Sequence, residues 1–339
     1  MSTAPWNEPS PEQPPSSRPD PANQRPAAHR QVSRFGYFGP EGTFTHQALL
    51  TVPGADLAEL TPYATVAGCL DGIRSGEVDA GLVPIENSVE GGVSATLDNL
   101  TYGEPLMITR EVLLEVQFTL FVRPGTALTD VRRVLTHPHA AAQCRDWLAA
   151  HLPQADITTD GSTAAAAAAV ADPDSGYDAA VCSRIAGELH GLEALADGIA
   201  DNTAAVTRFI LVTRPGRVGP ATGADKTSLV LFMRADHSGA LLELLEQFAS
   251  RGVNLCRIES RPTKTQLGSY CFAIDAEGHV DDARMAEALM GLHRVSARVI
   301  FLGSFPRADS GQPDILAGTA NADYAAAQQW LDRLRNPSS

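Results

Sequence analysis

Between Arg34 and about Arg214, short apolar runs alternate with amphipathic stretches, and that alternation leaves few folds open. The strand candidates are Arg34–Tyr37, Ala80–Val83, Val131–Thr136, Ala179–Cys182 and Phe209–Thr213. The helix candidates include Phe44–Val52, Val66–Arg74, Val93–Leu100, Ala140–His151 and Thr163–Ala171, with Asp160 and Ser162 as caps for the last. Such an order predicts an α/β fold with largely parallel sheets. One stretch departs from it. Leu106 to Arg123 alternates apolar and polar residues over an unusual length, as a long strand crossing between two lobes would, and Thr207–Val212 can form the return crossing. Two lobes joined by two crossings make a hinged cleft.

A second unit follows. Gly216–Ala224 is rich in Gly and Pro and reads as a linker. Beyond it the pattern is β (Ser228–Met233), α (Gly239–Arg251), β (Val253–Ser260), β (Ser269–Ile274), α (Ala283–Leu292) and β (Ala297–Leu302). In the first of these helices Leu241, Leu244, Leu245 and Phe248 fall on one face. A βαββαβ order predicts a ferredoxin-like antiparallel sheet backed by two helices. Tyr324, Ala327, Leu331 and Leu334 mark a short terminal helix that either packs on a neighbour or frays. Residues 1–33 carry eight prolines and almost nothing that can build a core, so a disordered tail is expected there. The expected segments are thus 1–33, 34–214, 215–225, 226–304 and 305–339.

Asp79–Val93 holds the densest chemistry. The apolar Ala80, Leu82 and Val83 end at Pro84. Glu86, Asn87, Ser88 and Glu90 then form a polar knot ahead of Gly91, Gly92 and a helical pattern. In an open α/β sheet, ligands bind beyond the carboxyl ends of strands. Helix N-termini there offer free N–H groups to anions, while the acids of the knot disfavour a bare anion. The mixture suits a small ligand carrying both carboxylate and hydroxyl groups, although a capped Pro/Gly turn explains the residues too. Three further polar turns sit at strand ends: G-Y-F-G-P-E-G-T-F from Gly36, T-H-P-H from Thr136 with Gln143-Cys144 after it, and D-N-T-A-A-V-T-R-F from Asp201.

Taken together, G-P-E-G-T at 39–43, P-I-E-N-S at 84–88, His-Pro with Gln143-Cys144, and T-R-F at 207–209 resemble the prephenate dehydratase family. Gly239-Ala240-Leu241 and Glu259-Ser260-Arg261-Pro262 resemble the regulatory ACT domain of that family. The resemblance spans roughly residues 34–304. It implies two lobes like those of type II periplasmic binding proteins, followed by the ferredoxin-like unit. It also implies loss of a ring hydroxyl and of carbon dioxide from prephenate, leaving phenylpyruvate, with no cofactor. Arogenate dehydratase shares the family and fold, and a non-catalytic amino-acid sensor would share the cleft.

By resemblance Thr207 assists departure of the hydroxyl, and Glu86, Asn87 and Gln143 share its pocket as catalytic candidates. Ser88, Thr43, Thr136, Thr203 and Phe209 are substrate-binding candidates. The hydroxyl of Thr43 can equally cap a helix. Arg208 can meet a substrate carboxylate or pair with an acid of the fold. Thr207 is also simply a β-branched residue opening a strand. His137, alone before a proline, reads as a turn residue. This chain departs from the usual family pattern at Thr136, where many relatives carry serine, and at His139-Ala140. For the effector, the resemblance implies phenylalanine held between ACT domains of two subunits by Gly239, Ala240, Leu241, Asn254, Leu255, Glu259 and Ser260. A dimer or tetramer would follow. Glu259 and Arg261 can alternatively form a local pair.

Composition sets outer limits. The net charge of −14 disfavours binding to nucleic acid or anionic membrane by bulk field. Five scattered cysteines without a C-x-x-C pair imply neither a disulfide framework nor a zinc site, and fit a reducing cytoplasm. No His/Asp/Glu cluster has metal spacing. The longest small-apolar run, Ala164–Ala171, is too short to span a bilayer, and no charged-then-apolar leader suggests export.

Overall fold

The computed structural model describes residues 32–336 apart from 90 and 265–267. The tail expected over 1–33 lies almost wholly outside the described residues. The chain begins with β1 (Arg34–Phe38), α1 (Phe44–Leu49), β2 (Glu59–Tyr63), α2 (Val66–Ser75), β3 (Ala80–Asn87), β4 (Gly91–Gly92), α3 (Ser94–Tyr102) and β5 (Met107–Glu115). It continues through β6 (Thr119–Val122), β7 (Arg133–Thr136), α4 (Pro138–Gln143), α5 (Arg145–His151), β8 (Asp156–Thr159), α6 (Thr163–Ala171), β9 (Ala179–Cys182), α7 (Arg184–Leu189) and β10 (Glu193–Asp197). β11 (Val206–Thr213) then returns to the first sheet. That sheet runs β2-β1-β3-β11-β5, with β4 on β3, and the second runs β10-β6-β9-β7-β8. The early strands pair in parallel, as strand–helix–strand units require, while β11 runs antiparallel to β3 and β5.

The crossings differ from expectation. Leu106–Arg123 is two strands in two sheets, broken at 116–118, and β11 lies wholly in the first sheet. The chain actually changes lobes in two short irregular segments. They pair with each other: Val116 N–H donates to Ala205 O at 2.8 Å, and Ile199 N–H donates to Phe118 O at 3.0 Å. Val116 and Phe118 are buried and anchor the step. The break falls where the chain leaves the first ladder for the second.

β12 (Asp225–Met233), α8 (Ala240–Ala249), β13 (Leu255–Pro262), β14 (Tyr270–Glu277), α9 (Ala283–Val295) and β15 (Ser296–Pro306) give the expected βαββαβ order. The antiparallel sheet runs β13-β14-β12-β15. Leu244, Phe248, Met285, Ala288 and Leu292 bury the helix faces on it. Its other face meets the first lobe. Val83, Ile85, Ile108, Ile210 and Val212 share one core with Val230, Cys271, Ala273, Leu302 and Phe305. At Gly303 the backbones approach so closely that a Cβ would lie 2.2 Å from the carbonyl oxygen of Ile108. α10 (Asn321–Arg335) follows, and Asn321 Oδ1 accepts from the Ala283 N–H at the start of α9.

Candidate functional site

Antiparallel pairing of β3 with β11 sets Asn87 opposite Thr207. The Asn87 amide Nδ2 donates to Thr207 Oγ1 at 2.8 Å, and its Oδ1 accepts from Val89 N–H at 2.8 Å. The amide is therefore held at both ends, and it fixes the rotamer of the threonine. A hydroxyl that accepts such a bond becomes a better donor of its own proton. Ser88 ties the same turn down: its N–H donates to Val206 O, and its Oγ accepts from Val206 N–H, both at 2.9 Å. Thr207 is 8% exposed. A protected but reachable hydroxyl of this kind suits hydrogen-bond assistance to a leaving group.

Neighbouring residues on a strand point to opposite faces, and here that separates the candidates. Arg208 is buried against the C-terminal sheet. Its Nε donates to Glu111 Oε2 at 2.7 Å, and its Nη1 pairs with Asp275. Glu111, fully buried, also accepts from Lys226 Nζ at 3.0 and 3.1 Å and from Ala308 N–H at 2.8 Å. Burial alone would raise the Asp275 carboxyl, but Arg208, Arg257 and the Ser228 hydroxyl outweigh it and hold it below the usual range. Burial would likewise lower Arg208, and the charges of Asp275 and Glu111 raise it instead. Of the two roles open to Arg208, the structure selects the ion pair. Glu86 follows it, with Oε2 at 3.7 Å from Arg208 and 3.9 Å from Arg257. The expectation that Glu86 stands beside Thr207 and Asn87 is not met, because β3 turns it to the other face.

Other candidates sort by what their polar atoms already hold. Thr136 is fully buried, and its hydroxyl donates to Val181 O at 2.6 Å, so it ties β7 to β9 rather than facing a ligand. Phe209 is a core residue packed with Tyr37 and Leu49. Thr43 caps α1: Oγ1 donates to Pro40 O at 2.9 Å and accepts from His46 N–H at 3.4 Å. Thr203 is exposed ahead of β11, with its carbonyl accepting from Gln117 Nε2 at 3.0 Å.

Gln143 ends α4 and borders a cavity of about 470 Å³ with Val89, Pro138, His139, Asp201 and Asn202. Val89 belongs to the turn after Asn87 and the others to the second lobe and its return segment, so the cavity lies between the lobes. Asp201 was not singled out from sequence. Its N–H donates to Gln143 O at 2.7 Å, and its carboxylate accepts from Asp146 and Trp147 N–H at 3.2 Å, which fixes Gln143 at the α4–α5 junction. The acid's place two residues ahead of Thr203 was the available signal. His137 caps α4, accepting from His139 N–H at 3.3 Å, as a turn residue should. The lobes also meet at Gly42: its carbonyl accepts from Ser183 Oγ at 2.6 Å, and its N–H donates to His46 Nδ1 at 3.2 Å.

In the C-terminal unit Gly239, at φ 95°, precedes α8 with open space around it. Ala240 is buried and Leu241 half-buried. Asn254 is exposed beside a cavity of about 440 Å³ that also touches Glu277 and Leu316, and Leu255 packs into the sheet–helix core. Ser260 is exposed on the outer face of β13. Glu259 points the opposite way, to Arg257 at 2.9 Å and Arg261 at 3.8 Å. The local pair is thus formed, and Glu259 and Ser260 occupy opposite faces rather than one site.

A two-lobed α/β frame with polar side chains gathered where the lobes meet defines a small-molecule site, open to an enzyme or a sensor. Sequence comparison narrows this. The prephenate dehydratase family matches residues 35–217. A prephenate dehydratase of Mycobacterium marinum is 45% identical over 314 residues, covering 90% of this chain and 96% of that one. One from Amycolatopsis methanolica is 47% identical over 301 residues, covering 88% and 97%. The crystal structure of prephenate dehydratase from Arthrobacter aurescens in complex with L-Phe is 52% identical, with a TM-score of 0.84, covering 89% of this chain and 99% of that one. The chain belongs to the prephenate dehydratase family. Among the described residues no helix is long and apolar enough to cross a membrane.

Proposed function

We propose that this enzyme converts prephenate to phenylpyruvate at the Thr207–Asn87 pair, and that phenylalanine inhibits it through the C-terminal unit, read as an ACT domain. The observation that carries the first part is the amide–hydroxyl bond of 2.8 Å, whose Asn87 also holds the N–H of Val89, a residue that lines the interlobe cavity. Aromatisation drives the reaction. The ring C–O bond breaks, and the oxygen leaves as water with a proton donated through Thr207. The ring carboxylate leaves as carbon dioxide, and its bonding pair enters the ring. Thr207 recovers its proton from solvent. The protein supplies a donor and a fixed pose rather than a nucleophile. Asn87 orients Thr207, and Gln143 offers an amide from the second lobe. Production of phenylpyruvate from prephenate, read as absorbance in alkali, tests this. Turnover of arogenate but not prephenate would reassign the substrate.

Three features support the effector reading. The Arthrobacter relative was crystallised with L-Phe. Gly239 leaves room for a carboxylate near the start of α8. Cys256, Ile258 and Ser260 lie exposed along β13, an edge strand onto which a second subunit can close. An effector between subunits requires at least a dimer. The reading divides the chain at the 215–225 linker, with the ACT unit over 226–304, and places the enzyme in the cytoplasm. Phenylalanine that lowers turnover and binds with a stoichiometry of one per chain is the expected result. Inhibition that competes directly with prephenate would move the effector into the cleft.

A further inference from the structure

We infer that Arg257 and Arg261, on the C-terminal sheet, are positioning residues for the dehydration. They hold Glu86, β4 and the start of α3, which back the strand that presents Asn87 to Thr207. The inference rests on the reaction proposed above.

Residues at i, i+2 and i+4 of a strand share a face. On β13 that face carries Arg257, Glu259 and Arg261, all largely withdrawn from solvent, and all three address one stretch of the first lobe. Arg257 approaches Glu86 at 3.9 Å and Asp275 at 3.6 Å. Glu259, held between the two arginines, fills the space where a Cβ on Gly92 would lie, 2.0 Å from Oε2. Arg261 grips the helix that follows: Nη1 donates to Ser94 Oγ at 2.9 Å, and Nε and Nη2 donate to Asp98 Oδ1 at 3.1 and 2.9 Å. Lys264 adds a second cation on Asp98 at 2.8 Å, and Tyr102 OH donates to Pro262 O at 2.5 Å.

What these contacts hold is the hairpin that carries Asn87. Gly92 pairs with Glu86 and Gly91 with Asn87, and Val93 N–H donates to Ile85 O at 2.8 Å. Asn87 therefore lies between two strands: β11 holds it from the Thr207 side, and the two-residue β4 backs it from the other. Side chains of the C-terminal unit brace the ribbon's return strand and the start of α3. Loss of the brace should leave Thr207 in place and blur the amide that orients it. The burden falls on turnover more than on substrate affinity.

Arg261→Ala in the full chain is the test, with steady-state kinetics on prephenate and hydrogen exchange of residues 86–89 and 91–98. Misplacing a catalytic group by about 1 Å costs on the order of a hundredfold, so kcat should fall roughly ten- to a hundredfold, with KM moving less than about threefold. Exchange in 86–89 and 91–98 should rise. Arg261→Lys should recover part of the rate through Asp98. In a Thr207→Ala background Arg261→Ala should cost little more, because both act on one proton donation. Parental kcat in Arg261→Ala, full additivity with Thr207→Ala, or unchanged exchange overturns the inference. If Arg261→Ala fails to fold, Asp98→Ala cuts the same contact from the other side and is judged by the same criteria. A parent that does not turn over prephenate overturns the reaction assignment; an active parent with an unaffected variant overturns the positioning role alone.

Discussion

The two faces of the β3–β11 ladder make different use of adjacent residues. On the face turned away from the C-terminal sheet, Asn87 and Thr207 are neutral and joined by one hydrogen bond. On the face toward the C-terminal sheet, Glu86 and Arg208 enter a dense cluster of charges with Glu111, Lys226, Arg257 and Asp275. The difference is physical economy. Reaction of a dianion needs a fixed donor that carries no competing charge. A dry ionic cluster does the reverse, since each charge there must keep its partners or be strongly penalised. The charged face thus fixes the backbone from which the neutral face works.

The contrast is tested first at its chemical side. Thr207→Ala should lower kcat by about 10²–10⁴-fold, the usual worth of general-acid assistance, while costing only about 1 kcal/mol of unfolding free energy, the worth of its bond to Asn87. Thr207→Ser should keep much of the rate. A Thr207→Ala enzyme within about threefold of the parent, well below that range, would remove Thr207 from the chemistry. The charged side should give the opposite signature. Glu111→Ala leaves buried cations without their shared acid, and should lower the unfolding free energy by about 3–5 kcal/mol. A loss below about 1 kcal/mol in urea titration, the size of one ordinary hydrogen bond, would mean that the cluster does not fasten the face.

Smaller effects belong to the contact between lobes. Ser183→Ala removes the bond to the Gly42 carbonyl and should cost about 1 kcal/mol, with a modest rise in KM as the lobes part more readily. Unchanged KM together with unchanged stability would deny that contact a role. His46 gives the smallest effect, and it depends on pH. Burial holds its ring neutral, below the ordinary 6.5, and Nδ1 accepts from Gly42 N–H. The unfolded chain takes up a proton near pH 6.5 while the folded one does not. Stability is therefore full above that value and declines as pH falls from it toward the folded pKa, by at most about 1.4 kcal/mol per pH unit. His46→Gln should flatten that slope in melting curves between pH 7.5 and 5. A variant with the parental slope would place the titration elsewhere.

Most of the order of elements is legible because it rests on local periodicity; the edge strands β2, β8 and β10, exposed or half-exposed throughout, and the short α7 are not read from it. Thr163–Ala171 and Ala179–Cys182 are found as read, and all six elements of the βαββαβ unit are present with ends shifted by a few residues. The errors lie where distant residues intervene. Ala140–His151 reads as one helix, but it breaks at Cys144, where the Asp201 carboxylate caps the N–H groups that open α5. Pro84 looked like a strand end, yet β3 runs on to Asn87, because β11 accommodates the missing N–H with a shift of register between Arg208 and Phe209. Motif matching brought Thr207 and Asn87 together correctly, since they pair directly. It could not tell them from Glu86 and Arg208, one residue away and on the other face. Nor could it show that Thr136 spends its hydroxyl inside the second sheet.

The paired crossing segments have a consequence for how the molecule can be taken apart. The stretch from 117 to 204 leaves the first lobe and rejoins it side by side, at Val116 and Ala205. The second lobe is therefore a cassette, spliced into a host fold whose own sheet is complete without it. A short linker across that gap closes the host ring, and the same gap in reverse is a graft point for the lobe of a relative. Exchange of that single segment would swap the Gln143 side of the cleft while leaving Thr207, Asn87 and the whole C-terminal unit in their native chain.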